Sequence, residues 1–154
     1  MTHSLGSAAG LGVVSGLRSM QGLAWTSRSL AGRRPVRGVG HLERFLSHDL
    51  VAGALSVAAA GELAVDKHPS TPDRTHPAAL LARAAAGAAV GSIAAGRDHR
   101  LLGALTGAGC AVAGAYAGRF LRREAGRVTS LPDIAFAVAE DAVAVSMARR
   151  LTGP

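Results

Sequence analysis

Five apolar runs separated by short charged segments organise the chain. Residues 101–118, LLGALTGAGCAVAGAYAG, carry no charge over eighteen positions and reach the lower length limit for a transmembrane helix. Arg119, Arg122 and Arg123 close that run. Residues 78–96 are apolar except for Arg83, and residues 4–25 except for Arg18. Residues 50–65 contain Glu62 and are short for a span, while residues 134–148 contain adjacent Glu140 and Asp141 and end at Arg149 and Arg150. None of the five alternates with a period of two, and all are poor in β-branched and aromatic residues. The pattern therefore predicts helices. The expected fold is all-α, a small polytopic bundle of four to five apolar transmembrane helices forming one integral membrane domain over residues 1–154.

Local signals place some of the ends. Thr75 before Pro77, and Ser130 before Pro132 and Asp133, set a hydroxyl and a first-turn proline ahead of the third and fifth runs. Trp25 and the basic stretch from Arg28 mark the membrane boundary expected after the first run. The basic linker 26–47 contains Gly, Arg and Pro, and residues 42–46 suit a short interfacial helix. No basic segment precedes the first apolar run, which is expected to be a retained span rather than a cleaved signal.

Glycines recur at four-residue spacing: Gly6 and Gly10, Gly12 and Gly16, Gly87 and Gly91, Gly103 and Gly107, Gly114 and Gly118. Lipid is as apolar as leucine, so helices in a bilayer associate largely through close backbone contact, which such pairs permit.

Composition sharpens this picture. The chain is 49% hydrophobic, 3% aromatic and 18% charged, against about 25% charged in ordinary soluble domains. A net charge of +7 and a pI near 11.4 would ordinarily suggest nucleic acid. Fifteen of the seventeen basic residues, however, punctuate the apolar runs, and only Arg18 and Arg83 fall inside them. No nucleic-acid partner is expected; the basic residues suit loops that hold topology by the positive-inside rule. Five alternating spans would divide the loop charges nine to six. A re-entrant course for residues 50–65 would divide them eleven to four, and the short length and Glu62 fit such a course.

The candidate chemistry lies in the charges at depth. An ionisable side chain near a bilayer centre costs ~2.5–3.5 kcal/mol on insertion scales and usually faces a protein interior or a wet cavity. Arg18 and Arg83 face three carboxylates, Glu62, Glu140 and Asp141. Two cations cannot neutralise three anions, so one acid is expected either to hold a proton or, as Asp141, to turn outward, since adjacent helix residues point about 100° apart. Salt bridges that fix helix register are one reading of these groups; a polar site that binds an anion or relays a proton is the other.

Other chemistry finds little support. Asp66, Asp73, His68 and His76 match no metal-ligand spacing, and intervening prolines prevent a shared helical face. The chain carries no nucleophile elbow, phosphate loop or zinc-protease motif, so neither catalytic residues nor a cofactor are expected. Cys110 stands alone in an apolar run and suits a buried thiol.

GLRSM at residues 16–20, GELAVDKHPSTPDRTHP at 61–77, ARAAAGAAVG at 82–91, the glycine-spaced helix ending in Arg122 and Arg123, and PDIAFAVAEDAVAV at 132–145 together resemble a bacterial membrane family catalogued as domain of unknown function 4126. The resemblance spans almost the whole chain. It implies that Arg18, Glu62, Asp66, Lys67, Pro72, Arg74, Arg83, Glu140 and Asp141 are the positions that matter. The family's proline after GLRSM is replaced by Gln21 and Gly22, and His68 stands where an apolar residue is usual.

The expectation is thus a multi-pass protein of the bacterial inner membrane, with the lipid bilayer as its medium and a charged core suited to a small ion or anionic solute. A homo-oligomer is expected, because one chain has too few helices to enclose a wide path. The rival is a non-transporting scaffold or partner subunit whose charge pairs only specify packing.

Overall fold

The computed structural model describes residues 4–32, 40–65, 76–128 and 133–153. Those residues form seven helices and no strand: α1 Leu5–Leu17, α2 Ser19–Ala31, α3 His41–Leu46, α4 Asp49–Val65, α5 Pro77–Ala94, α6 Arg100–Val128 and α7 Asp133–Thr152. The fold is all-α, as the apolar runs predict.

The first run departs from expectation, because it is two helices. Ser4 caps α1 by accepting from the Ser7 amide at 3.1 Å. At Arg18 the backbone is extended, with φ −142° and ψ 108°, and α2 starts at the next residue. α2 then folds back along α1. A Cβ added to Gly22 would touch Ser15 Oγ and lie 3.4 Å from Leu11 O. A continuous helix would hold those residues roughly 10 and 16 Å away along its axis. Leu23 accordingly packs on the cluster of Ala8, Leu11, Val90, Ala94 and Ala95. Trp25 lies on the returning arm, and the helix continues past it to Ala31.

Close backbone contact joins α1, α5 and α6. On Gly87 a Cβ would come 2.5 Å from Gly107 O, and on Gly12 it would also come 2.5 Å from Gly107 O. Gly91 and Gly103 meet backbone to backbone in the same way, and Gly114 sits 3.0 Å from Val13 O by the same measure. The pairing of 87 with 107 and 91 with 103 makes α5 and α6 antiparallel; the pairing of 12 with 107 and 16 with 111 makes α1 and α6 parallel. Gly96, with φ 79°, turns the chain between α5 and α6 in a backbone conformation that glycine adopts without steric cost.

The remaining helices follow from specific contacts. Leu151 of α7 fills the space over Gly10, and Ser29 Oγ donates to Thr152 O at 2.9 Å, so α7 returns beside the hairpin. Ser27 Oγ donates to Leu46 O at 2.5 Å, and Glu43 of α3 pairs with Arg100 at the start of α6. Glu62 near the end of α4 reaches the start of α2, so α4 runs antiparallel to α2. α1, α4 and α6 thus run one way and α2, α5 and α7 the other.

Two expectations are met only in part. Residues 50–65 lie in an uninterrupted helix, α4, and the segment that folds back on itself is the first one. Two helices, α5 and α6, are long and apolar enough to cross a membrane, each with a mean hydropathy of 1.4 over eighteen residues. α1 is apolar but shorter. α5 begins at Pro77 after His76, whereas Thr75 and Ser130 lie outside the described residues.

Replacing Gly107 by leucine should force α5 and α1 away from α6 and cost at least about 1–3 kcal/mol, the usual penalty of overpacking. Gly109→Leu on the same helix, where nothing lies within 4 Å, should be close to neutral. Thermal unfolding of both variants in detergent checks the contrast.

Candidate functional site

A helix that stops inside a bundle leaves carbonyls without partners at its end, and one that starts there leaves amides without partners. At the hairpin tip both sets occur within a few residues. Arg18 N donates to Val14 O at 2.8 Å, and Gln21 N to Arg18 O at 3.3 Å. The Gly16 and Leu17 carbonyls and the Ser19 and Met20 amides are met by side chains from distant elements.

Arg83 of α5 covers the end of α1. Its Nη1 donates to Gly16 O at 2.6 Å and to Leu17 O at 3.0 Å. Glu62 of α4 covers the start of α2: Oε1 accepts from Ser19 N at 2.9 Å and from Ser19 Oγ at 2.7 Å, and Oε2 accepts from Met20 N at 2.9 Å. Each charge matches the macrodipole it faces, a cation at a C-terminus and an anion at an N-terminus. The two caps also approach each other, with Arg83 Nη2 3.9 Å from Glu62 Oε1.

Arg18 is fully buried at the turn. Its Nε donates to Asp141 Oδ1 at 2.6 Å, and its Nη2 pairs with the same oxygen. Asp141 therefore turns inward, contrary to the outward course held open for it. The neighbouring Glu140 leaves α7 in a different direction and accepts from Arg122 Nη2 of α6 at 2.6 Å. Gly118 makes room for it: a Cβ there would lie 3.2 Å from Glu140 Oε1 and 3.0 Å from Leu17 Cδ2.

The structure thus brings Arg18, Glu62, Arg83 and Asp141 to the tip, with Glu140 beside it on Arg122. Asp66, Lys67 and Arg74 lie outside the described residues, as do Asp73 and His68 of the dismissed metal set. Among the described residues no group of three metal-ligating side chains occurs. Gly87, Gly91, Gly103, Gly107 and Gly114 lie at the contacts that set the hairpin's height, and Cys110 is half-buried beside Gly12.

Sequence reasoning missed three contributors. The Ser19 and Met20 amides and the Gly16 and Leu17 carbonyls become functional groups only because the helix breaks, and a run of apolar residues around one arginine gives no sign of a break. Arg122 could have been found: it follows Gly118 by one helical turn. Its inclusion changes the charge balance from two cations against three acids to three against three.

Removing one partner of a buried ion pair commonly costs about 3–5 kcal/mol, because the other charge stays buried. Arg83→Met should fall in that range, since it also strips two carbonyls of their donor. Asp141→Leu alone should be similarly damaging, and the double variant Arg18→Met/Asp141→Leu should recover part of the loss. Glu62→Gln, which keeps an acceptor for the α2 amides, should cost less than Glu62→Ala. Equilibrium unfolding of the purified variants measures all of these differences.

No family model, curated protein or solved structure matches the chain.

Proposed function

We propose that the chain is a small multi-pass protein of the bacterial inner membrane, assembled as a homo-oligomer, whose re-entrant hairpin closes a path for a small ion or anionic solute. The interruption at Arg18 carries the proposal. Discontinuous helices that end in mid-bundle present partial charges where transport proteins hold their ions and anionic substrates.

The distribution of side chains supports a lipid setting. Leu50 is 89% exposed, Val57 and Leu81 74% and Leu101 73%, whereas Arg18, Arg83, Gln21, Ser15 and Thr26 are buried. A water-soluble domain arranges these classes the other way. Only 39% and 33% of the apolar windows of α5 and α6 are buried within the chain, less than a soluble core helix requires. The resemblance to domain of unknown function 4126 points the same way. In this reading α5 and α6 cross the bilayer, α4 and α7 run alongside them, and the α1–α2 hairpin enters and leaves on one side. Interior partners for the Gly16 and Leu17 carbonyls and the Ser19 and Met20 amides are what lipid demands of such a segment.

In this arrangement Glu62 and Arg83 act as internal counter-charges that hold the tip shut. Withdrawal of Glu62 with α4 would present the Ser19 and Met20 amides to an incoming anion, with Arg83 and Arg18 close by.

A specific observation favours a second function, that of a scaffold. Arg18 with Asp141, Arg83 with Glu62, and Arg122 with Glu140 form three pairs that balance one another. A closed set of this kind fixes helix register without any ligand.

Alkaline carbonate should leave the chain in the membrane fraction; its release would overturn the membrane assignment. In liposomes carrying ion- and proton-sensitive dyes, wild type should pass a small anion or protons, and Glu62→Gln should change that flux while retaining the fold. Absence of flux under every imposed gradient, with Glu62→Gln and Arg83→Met altering stability alone, would favour the scaffold.

A further inference from the structure

α6 is longer than a bilayer needs. Its first eighteen apolar residues span about 27 Å, close to a ~30 Å hydrocarbon core, and residues 119–128 continue as helix for about 15 Å more. This extension carries Arg119, Arg122, Arg123 and Arg127 against one acid, Glu124. Arg122 is directed inward to Glu140. Arg119, Arg123 and Arg127 follow one another at four-residue spacing and so share a helix face, on which all three are exposed. Glu124 meets Arg127 at 2.8 Å in an exposed pair. Phe120, 62% exposed, and Leu121, 65% exposed, stand among them.

Like charges one turn apart repel along a helix, and the extension holds four arginines against the single acid Glu124, so it keeps a net positive charge to which an anionic surface is complementary. Exposed aromatic and aliphatic side chains interleaved with arginines suit the boundary between acyl chains and headgroups, where the apolar groups enter the chains and the guanidinium groups reach phosphate. We propose that residues 119–128 of α6 form a docking surface for anionic phospholipid headgroups of the leaflet on that side of the membrane. The assignment rests on the membrane setting proposed above and adds to it the leaflet and lipid charge the protein prefers. Phosphate oxygens supply acceptors for the row of arginines, and Phe120 and Leu121 anchor the helix beside the same lipid.

Native mass spectrometry of the full chain, equilibrated in detergent with equal phosphatidylglycerol and phosphatidylcholine, tests this. Wild type should retain phosphatidylglycerol in preference by about tenfold, and the Arg119→Gln/Arg123→Gln/Arg127→Gln variant should fall to near parity. The corresponding triple lysine variant, which keeps the charge, should retain most of the preference. The proposal is overturned if the glutamine variant binds phosphatidylglycerol like wild type. It is equally overturned if Arg97→Gln/Arg149→Gln/Arg150→Gln abolishes the preference instead, or if millimolar inorganic phosphate displaces the lipid from wild type, which would make free phosphate the better ligand. Carbonate extraction of the same variants reads the membrane setting separately: a chain that stays in the membrane yet shows no lipid preference loses only the docking surface.

Discussion

A helix broken inside a bundle must find partners for the backbone groups it frees, and the rest of this structure is organised around meeting that requirement at Arg18. The orphaned ends of α1 and α2 lie one residue apart, so carbonyls and amides of opposite polarity crowd one small volume. An unsatisfied backbone group buried away from water costs several kcal/mol in an apolar setting. One cation and one carboxylate, supplied by α5 and α4, answer both ends at once. Their positions along those helices are therefore fixed by the tip: Arg83 must stand beside the last carbonyls of α1, and Glu62 beside the first amides of α2.

The glycine contacts serve the same end. α1 reaches the right height only because Gly12 and Gly16 bring it against α6 at Gly107, Ala111 and Ala115, and α5 is set against α6 by Gly87 and Gly91. With those contacts in place, Arg83 and the tip meet without a long side-chain reach. α7 completes the arrangement by sending two adjacent carboxylates in different directions, Asp141 to the hairpin and Glu140 to α6. One short acidic step thereby ties the hairpin to α7 and α7 to α6.

Much of this was legible from the order of residues. The five apolar runs, their helical nature, the glycine spacing and the identity of the charges at depth all follow from periodicity and from the rarity of ionisable residues in such runs. The hairpin was not legible. Residues 4–25 read as one span because a single arginine interrupts them, and no proline marks a turn at Arg18. The break is a tertiary effect: its cost is met by Arg83 and Glu62, which lie 65 and 44 positions further along, and local sequence carries no record of that compensation. The charge pairing was half legible for a related reason. Arg122 sits in the basic cluster that closes α6 and looks like loop punctuation, yet Gly118 one turn earlier opens the space through which Glu140 reaches it.

The hairpin itself can be tested by a distance. With Cys110 replaced by serine, spin labels at positions 5 and 30 would be about 38 Å apart along the axis of a single continuous helix. A hairpin whose arms pack at ordinary interhelical spacing of about 8–10 Å brings them within about 20 Å, allowing for the labels' own length. Pulsed electron paramagnetic resonance on the reconstituted protein should give the short distance. A distribution centred near the long one would contradict the broken helix at Arg18 and the ion pairs that depend on it.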